Sequence, residues 1–265
     1  MNKFSFLLIG LFLICGWIPA AFSQYKLPDE AFSFAITGDH TEGASGRFDQ
    51  IIAGVSLIGP AFMIQNGNMI AGKTTDTELL RQQWQAFRQQ IRPLDGIQFF
   101  PVPGTRDVSG KDGNIKVQKI YQEQWGSLYY SFDYKNAHFI VLHSNDSTEA
   151  NIAALQTNWL THDLIKNQEK DHIFVFVHHP ATKLRNATEM HRLFAEYGVS
   201  AVFCGHAPGY EYSEKDGIAY VMTNGSGKSG FTDNDFFLLV SVRDQSFRIA
   251  LIASNGVVAP FPPKE

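Results

Sequence analysis

Ile173-Phe174-Val175-Phe176-Val177-His178-His179-Pro180 is an apolar run that stops at two imidazoles and a proline. Five apolar residues without a polar break read as a strand buried on both faces. Such a strand delivers polar groups at its carboxyl end, where open α/β sheets hold their ligands. The same pattern recurs four times. Gly38-Asp39-His40-Thr41 follows the run Ala31–Thr37, and Asn66-Gly67-Asn68 follows Ala61–Gln65. Pro103-Gly104-Thr105-Arg106-Asp107 follows Gln98–Val102, and Gly205-His206-Ala207-Pro208 follows Ser200–Phe203 and Cys204.

The segments between these runs have helical spacing. Phe48, Ile51, Ile52 and Val55 fall at i, i+3, i+4 and i+7, and Leu80, Trp84, Phe87 and Ile91 mark a second amphipathic face, with Asp76 or Thr77 as N-cap. Ile152, Leu155, Trp159 and Leu160 predict a third helix, and a fourth lies around Glu189–Tyr197. Tyr129–Tyr134 and Ala137–Leu142 flank Lys135-Asn136 as a hairpin. The chain closes with strands Gly217–Met222, Phe236–Val242 and Phe247–Ile252. The pattern predicts a four-layer α/β/β/α sandwich, two mixed β-sheets flanked by helices. No linker or repeat divides it, so residues 24–265 are expected to form one domain.

The five motifs, with the tract Tyr129–Tyr134 before Phe139–Leu142 and with Tyr210-Glu211 beyond Gly205-His206, resemble the calcineurin-like metallophosphoesterases, especially the purple acid phosphatase-like group. The resemblance covers nearly the whole chain after residue 24. It implies a site in which two divalent cations about 3.5–4 Å apart activate a hydroxide for phosphoester hydrolysis. The family's first motif is Asp-x-His; Asp39 is present, Thr41 stands at the histidine position, and His40 is displaced by one onto the opposite side of an extended backbone. In the second motif the bridging aspartate is Asn68. In the third, Thr105 replaces the asparagine ligand, Arg106 replaces the catalytic histidine, and Asp107 is kept. His178 is kept in the fourth motif, and the fifth keeps His206 but has Pro208 for its second histidine.

Tallied by ion, these substitutions strike both metal positions and leave one carboxylate against a nominal charge of four. Desolvating two such ions without anionic compensation is costly, so the sequence argues against a two-metal site. Two readings remain open. Asp39, Asn68, His178 and His206 could hold one divalent ion, two imidazoles and a carboxylate being a recurrent mononuclear set; or they are relics in a polar pocket. Arg106 carries a fixed, forked charge suited to phosphate or carboxylate, or pairs with Asp39 or Asp107 to fill the hole. His40, Thr105, Arg106, Asp107 and His179 are the candidate contacts for an anionic, phosphate-type ligand. Alternation along a strand predicts that only one of His178 and His179 faces the site. The expected function is a phosphoesterase-family protein with hydrolysis absent or much reduced, its pocket binding an anion or a partner; the alternative is an active single-metal hydrolase.

The remaining composition narrows the setting. Of 265 residues 44% are hydrophobic and 18% charged, with a net charge of −4 and no basic run, which disfavours nucleic-acid and anionic-membrane partners. Met1-Asn2-Lys3, the apolar stretch Phe4–Ile18 and Ala21-Phe22-Ser23 predict a signal peptide over residues 1–23, cleaved near Ser23 to give a periplasmic or secreted protein with no membrane association afterwards. Cys204 is then the sole cysteine, expected as a small buried side chain. Asn224-Gly225-Ser226-Gly227-Lys228-Ser229 lacks the first glycine of a nucleotide-binding loop and reads as a surface loop. His143 and Asp146 read as ordinary loop polarity, with His143, like His40, a conceivable replacement ligand.

Overall fold

The computed structural model describes residues 31–39, 47–109, 115–206, 209–224, 236–254 and 258–261. The predicted signal peptide, His40, Thr41, Pro208 and the loop from Gly225 to Ser229 lie outside the described residues. The strands are β1 (Phe32–Thr37), β2 (Phe62–Gln65), β3 (Gln98–Pro101), β4 (Tyr130–Tyr134), β5 (Ala137–Leu142), β6 (His172–Val177), β7 (Ala201–Cys204), β8 (Gly209–Lys215), β9 (Ile218–Asn224), β10 (Phe236–Arg243), β11 (Ser246–Ala253) and β12 (Val258–Phe261). The helices are α1 (Arg47–Ile58), α2 (Thr77–Gln90), α3 (Thr105–Val108), α4 (Ile115–Trp125), α5 (Ala154–Asn167) and α6 (Ala187–Glu196). Among the described residues no helix is long and apolar enough to cross a membrane.

The strands make two six-stranded mixed sheets, ordered β12-β11-β10-β1-β2-β3 and β4-β5-β6-β7-β9-β8. In the first, β1, β2 and β3 run parallel and β10 to β12 are added antiparallel. In the second, β5, β6, β7 and β9 are parallel, with β4 and β8 antiparallel at the edges. Parallel pairing demands crossovers, and these supply the outer layers. Alternation then divides the side chains. Phe34 and Ile36 enter the core between the sheets, whereas Ala35 and Met63 meet α1, α2 and α4. On the second sheet Phe139 and Phe174 turn inward and Ile140, Val175 and Val202 meet α5 and α6. The four-layer sandwich follows from strands that are apolar on both faces.

The inter-sheet core is aromatic. Phe62 stacks on Phe34 at 5.2 Å and meets Phe139 edge-on at 5.0 Å, geometries that add to the area each ring buries. The predicted α1 face, Phe48, Ile51, Ile52 and Val55, is wholly buried. Asp76 caps α2, accepting from the Glu78 and Leu79 amides at 3.0 and 3.2 Å. The third helix differs from its expectation. It begins at Ala154, beyond Ile152, and Leu155 is 83% exposed. Its inward face runs through Gln156, Leu160 and Leu164 instead, because the loop 143–153 needs the Gln156 carboxamide: Gln156 accepts from the His143 amide at 2.8 Å and donates to the His143 carbonyl at 2.9 Å. Cys204 is buried as expected, its sulfur 3.2 Å from the Ala181 amide.

Candidate functional site

The parallel strands β1, β2, β6 and β7 bring Asp39, Asn68, His178 and His206 together just past their carboxyl ends, with the β3 motif alongside. The third motif is not a loop as its sequence suggests: Thr105-Arg106-Asp107 opens the short helix α3. The buried Asp107 holds that turn to the second motif. One of its oxygens accepts from the Met69 and Ile70 amides at 2.8 and 3.3 Å, and the other from the Gly104 amide at 2.8 Å. Burial pushes its carboxyl up to about 7, against the pull of those amides.

The second and third motifs touch through backbone. Gly67 sits at φ +85°, in the left-handed region, and a Cβ there would stand 2.5 Å from His178 Nδ1. A Cβ on Gly104 would collide with the Asn68 backbone nitrogen and lie 2.7 Å from its side-chain oxygen. Asn68 itself is left-handed at φ +52°, a conformation its short polar side chain tolerates.

Asn68 has two fixed neighbours. Its Nδ2 donates to Asp39 Oδ2 at 2.7 Å, and its Oδ1 accepts from the Arg106 amide at 2.9 Å. A backbone N–H can only donate and a carboxylate can only accept, so both ends of the carboxamide are assigned. The other Asp39 oxygen accepts from the His206 amide at 3.1 Å. Burial raises the Asp39 carboxyl, while Asn68, the His206 amide and the charges of His206 and Arg106 oppose the rise.

Three imidazoles close the site. The alternation expected for His178 and His179 fails because β6 ends at Val177: both rings gather with His206, at centroid separations of 5.1 Å (His178–His206) and 4.5 Å (His179–His206). Fully buried His178 donates from Nδ1 to the Asn66 carbonyl at 2.9 Å, which leaves Nε2 as a lone pair 3.2 Å from His206 Nδ1. Burial, with the charges of His206 and Arg106, pushes the His178 imidazole down to about 3. His179 is likewise lowered to about 3 by burial and by its two histidine neighbours. Both are neutral, the form that ligates metals.

His179 is also the hub of a chain. The Thr105 hydroxyl donates to Asn145 Oδ1 at 3.2 Å and accepts from His179 Nε2 at 3.3 Å, and Ser144 Oγ donates to His179 Nδ1 at 2.8 Å. Both of its nitrogens are therefore engaged. Ser144 and Asn145 were missed by sequence reasoning, and the polar run His143-Ser144-Asn145-Asp146 after β5 was the signal that could have found them; Asn66 was read as part of the second motif but given no role. His143 is buried apart from the imidazole cluster and is pushed down to about 4 by burial.

Arg106 is half-buried, and its guanidinium makes no ion pair or hydrogen bond with any described residue. The pairing with Asp39 or Asp107 considered from sequence is absent among the described residues, since backbone amides occupy Asp107. Its charge is nonetheless felt at both Asp39 and His178. Beside the cluster opens a groove of about 600 Å³, bordered by His179, His206, Glu149, Lys183, Arg185 and Glu211.

His178, His179 and His206 each offer a ring nitrogen, all within 4.8 Å of one another, a group that could hold a metal ion. Nitrogens bound to a single ion at about 2.0–2.1 Å stand about 3 Å apart, close to the 3.2 Å between His178 and His206. Nearest Asp39, the Asn68 oxygen accepts from Arg106 N–H and keeps a second lone pair, and the Asp39 carboxylate accepts from Asn68 and His206.

Known structures share this architecture. The chain is 15% identical to a purple acid phosphatase from seeds of yellow lupin (Lupinus luteus), with a TM-score of 0.67 over 88% of this chain and 53% of that one, so it spans about half the lupin protein's length. It is 19% identical to GAP50, the anchor in the inner membrane complex of Plasmodium, with a TM-score of 0.67 over 89% of this chain and 90% of that one. A dimetal phosphatase from Danio rerio matches at 12% identity and a TM-score of 0.62, over 85% and 96% of the two chains. Identities this low carry the fold alone. The model of the calcineurin-like phosphoesterase family matches residues 32–210, from β1 through the fifth motif, and the chain belongs to that family.

Proposed function

We propose that this protein is an exported calcineurin-like phosphoesterase in which two-metal hydrolysis is lost or much reduced, and that its pocket binds a phosphate-type anion. One fold relative is a purple acid phosphatase and another an anchor, so the fold does not choose between catalysis and binding. The observation that carries the reading is the Asn68 carboxamide, standing where the family's bridging carboxylate belongs and hydrogen-bonded to both Asp39 and Arg106 N. An amide there brings no negative charge and presents its nitrogen, not its oxygen, to Asp39. The neighbouring Arg106 supplies a fixed positive charge with no partner among the described residues. A guanidinium attracts an anion but cannot give up a proton as an acid catalyst must.

Thermal melting in phosphate and sulfate tests this. At a concentration one hundredfold above the dissociation constant, binding stabilises by about 2.7 kcal/mol, or roughly 5–10 °C at about 2–4 °C per kcal/mol for a chain of this size. Arg106→Ala should remove the shift, and turnover of an aryl phosphate with added divalent metal should stay at background. No anion-dependent shift, or turnover that His178→Ala abolishes, refutes the reading.

A second reading is favoured by the 3.2 Å approach of His178 Nε2 and His206 Nδ1. Those imidazoles with Asp39 would hold one divalent ion, and His179 would stay with Ser144 and Thr105. Such an ion would supply Lewis-acid polarisation of a phosphoryl oxygen; Arg106 would steady the anion and the buried walls would limit water. Elemental analysis of protein purified without chelator separates the two, with one equivalent of a transition metal that His206→Ala removes supporting the second.

A further inference from the structure

A second groove, of about 460 Å³, opens on the outer flank of the second sheet. It has the size of a small-molecule site. Helix α6 and the turn Ala181–Lys183 form one wall, and β8 and β9 form the other. Among the described residues, no side chain of the five motifs borders it.

The strand register sets its floor. Directly paired residues of antiparallel strands share a face, so Ser213↔Tyr220 places a serine beside a tyrosine on the side that meets α6. Tyr220 joins Met190, Leu193 and Phe194 of α6 in one apolar cluster. The side chains around the Tyr220 and Phe194 rings are small, namely Ala181, Ala187 and Ser213, so the groove between helix and strands stays open.

One polar group in this apolar setting has a fixed direction. His191, from the middle of α6, has Nε2 2.8 Å from Asp216 Oδ2 and Nδ1 2.6 Å from the Tyr220 hydroxyl. A carboxylate can only accept, so Nε2 carries a proton. In the neutral imidazole Nδ1 then accepts, and the phenol is the donor. Burial pushes the Tyr220 phenol up to about 12, so it keeps the proton it donates. With that proton committed to His191, the phenolic oxygen offers only lone pairs to the groove. Asp216, which orients the chain, stands in the β8–β9 turn and does not border the groove.

The charged groups at the rim are Glu214 and Lys215, one of each sign and both exposed. Neither an anion nor a cation finds a net attraction there. Apolar walls, two aromatic rings and one inward acceptor select a neutral molecule with a donor, and ring pairing favours an aromatic body.

We propose that the groove between α6 and β8–β9 binds an uncharged aromatic molecule bearing one N–H or O–H donor, of the indole or phenol kind, with its ring against Phe194 and the alanines and its donor on the Tyr220 oxygen. This site is separate from the motif pocket and independent of the anion-binding reading above.

Calorimetry and saturation-transfer NMR with indole, 1-methylindole and benzofuran test it. Indole is expected to bind about two- to tenfold tighter than either analogue, since both lack the donor and one hydrogen bond is worth that much. Tyr220→Phe should bring indole down to the level of the analogues and leave those within twofold of the parent. Ser213→Trp, at an exposed strand position that tolerates an aromatic residue, should fill the groove and abolish binding of all three. Tryptamine and indole-3-acetate should bind no tighter than indole, and saturating phosphate should leave the indole affinity unchanged. Absence of indole binding, equal affinity for the three ligands, or binding that survives Ser213→Trp overturns the assignment. Competition by phosphate also overturns it, because it would place indole in the motif pocket. Should Tyr220→Phe lower the melting temperature, Ser213→Trp decides: lost binding with an unchanged melt supports the site, and retained binding refutes it.

Discussion

Asn68 Nδ2 and Asp39 Oδ2 stand 2.7 Å apart as donor and acceptor, in a place where two carboxylates would need a cation between them. Asn68→Asp removes the donor and sets two buried acids in contact. The metal-free variant is expected to lose about 1–3 kcal/mol, the cost of leaving a buried polar group unsatisfied. Manganese or zinc should restore more stability to the variant than to the parent, because the added charge compensates an ion. Melting curves with and without metal check this; an unchanged metal-free melt, or one indifferent to both ions, would show that the amide is not holding the place of a charge.

Gly67→Ala is predicted to destabilise severely. The left-handed backbone alone costs roughly 1–2 kcal/mol for a side chain, and the new Cβ would press on His178 Nδ1 at 2.5 Å and Gly104 Cα at 2.7 Å. The urea midpoint should fall with the denaturant slope unchanged, and the His178–Asn66 hydrogen bond should be disturbed. A variant as stable as the parent would mean that the β2 and β3 loops are looser than they stand here.

His138 predicts a pH dependence far from the pocket. It is buried between two acids, with Nδ1 2.6 Å from Asp133 and Nε2 2.8 Å from Asp163. Lys170 pairs with Asp133 at 2.8 Å and Ser131 donates to Asp163 at 3.0 Å. Burial alone would depress the imidazole, but the bonds to Asp163 and Asp133 outweigh it and hold His138 above its ordinary 6.5. A folded value raised above the unfolded one gives stability that is full below pH 6.5 and is lost as pH rises through the folded value. His138→Gln should therefore cost about 1–3 kcal/mol near pH 5.5 and less near pH 9. Chemical denaturation at the two pH values reads the difference; an equal loss at both would mean that His138 is neutral in the folded protein.

What the sequence disclosed depended on periodicity. The α1 face and the hairpin turn at Lys135-Asn136 were legible because burial imposes a period of 3.6 or 2 on apolar residues. Helix α4 was not read, since Val117, Ile120 and Tyr121 make a short stripe among Lys and Gln. Edge strand β8 was also missed: with one face toward solvent, Glu211, Ser213, Glu214 and Lys215 carry no apolar run. At the site, strand ends marked where Asp39, Asn68, His178 and His206 would meet. The direction of the Asn68 carboxamide, the bend that brings His179 beside His178, and the Ser144 and Asn145 partners have no spacing signature. They arise from hydrogen-bond bookkeeping among loops that are distant in sequence.

The contact between Gly67 and Gly104 has a consequence for the ancestry of the site. Where two main chains touch, side chains are excluded by shape, whatever reaction the neighbouring groups perform. The glycines that space the motifs are thus under mechanical constraint, while the ligands between them answer only to chemistry. The two can change at different rates. A lineage could exchange its acids and imidazoles for amides and a guanidinium and still carry the outline of a phosphatase in its backbone, as a lock keeps its case after the wards have been recut.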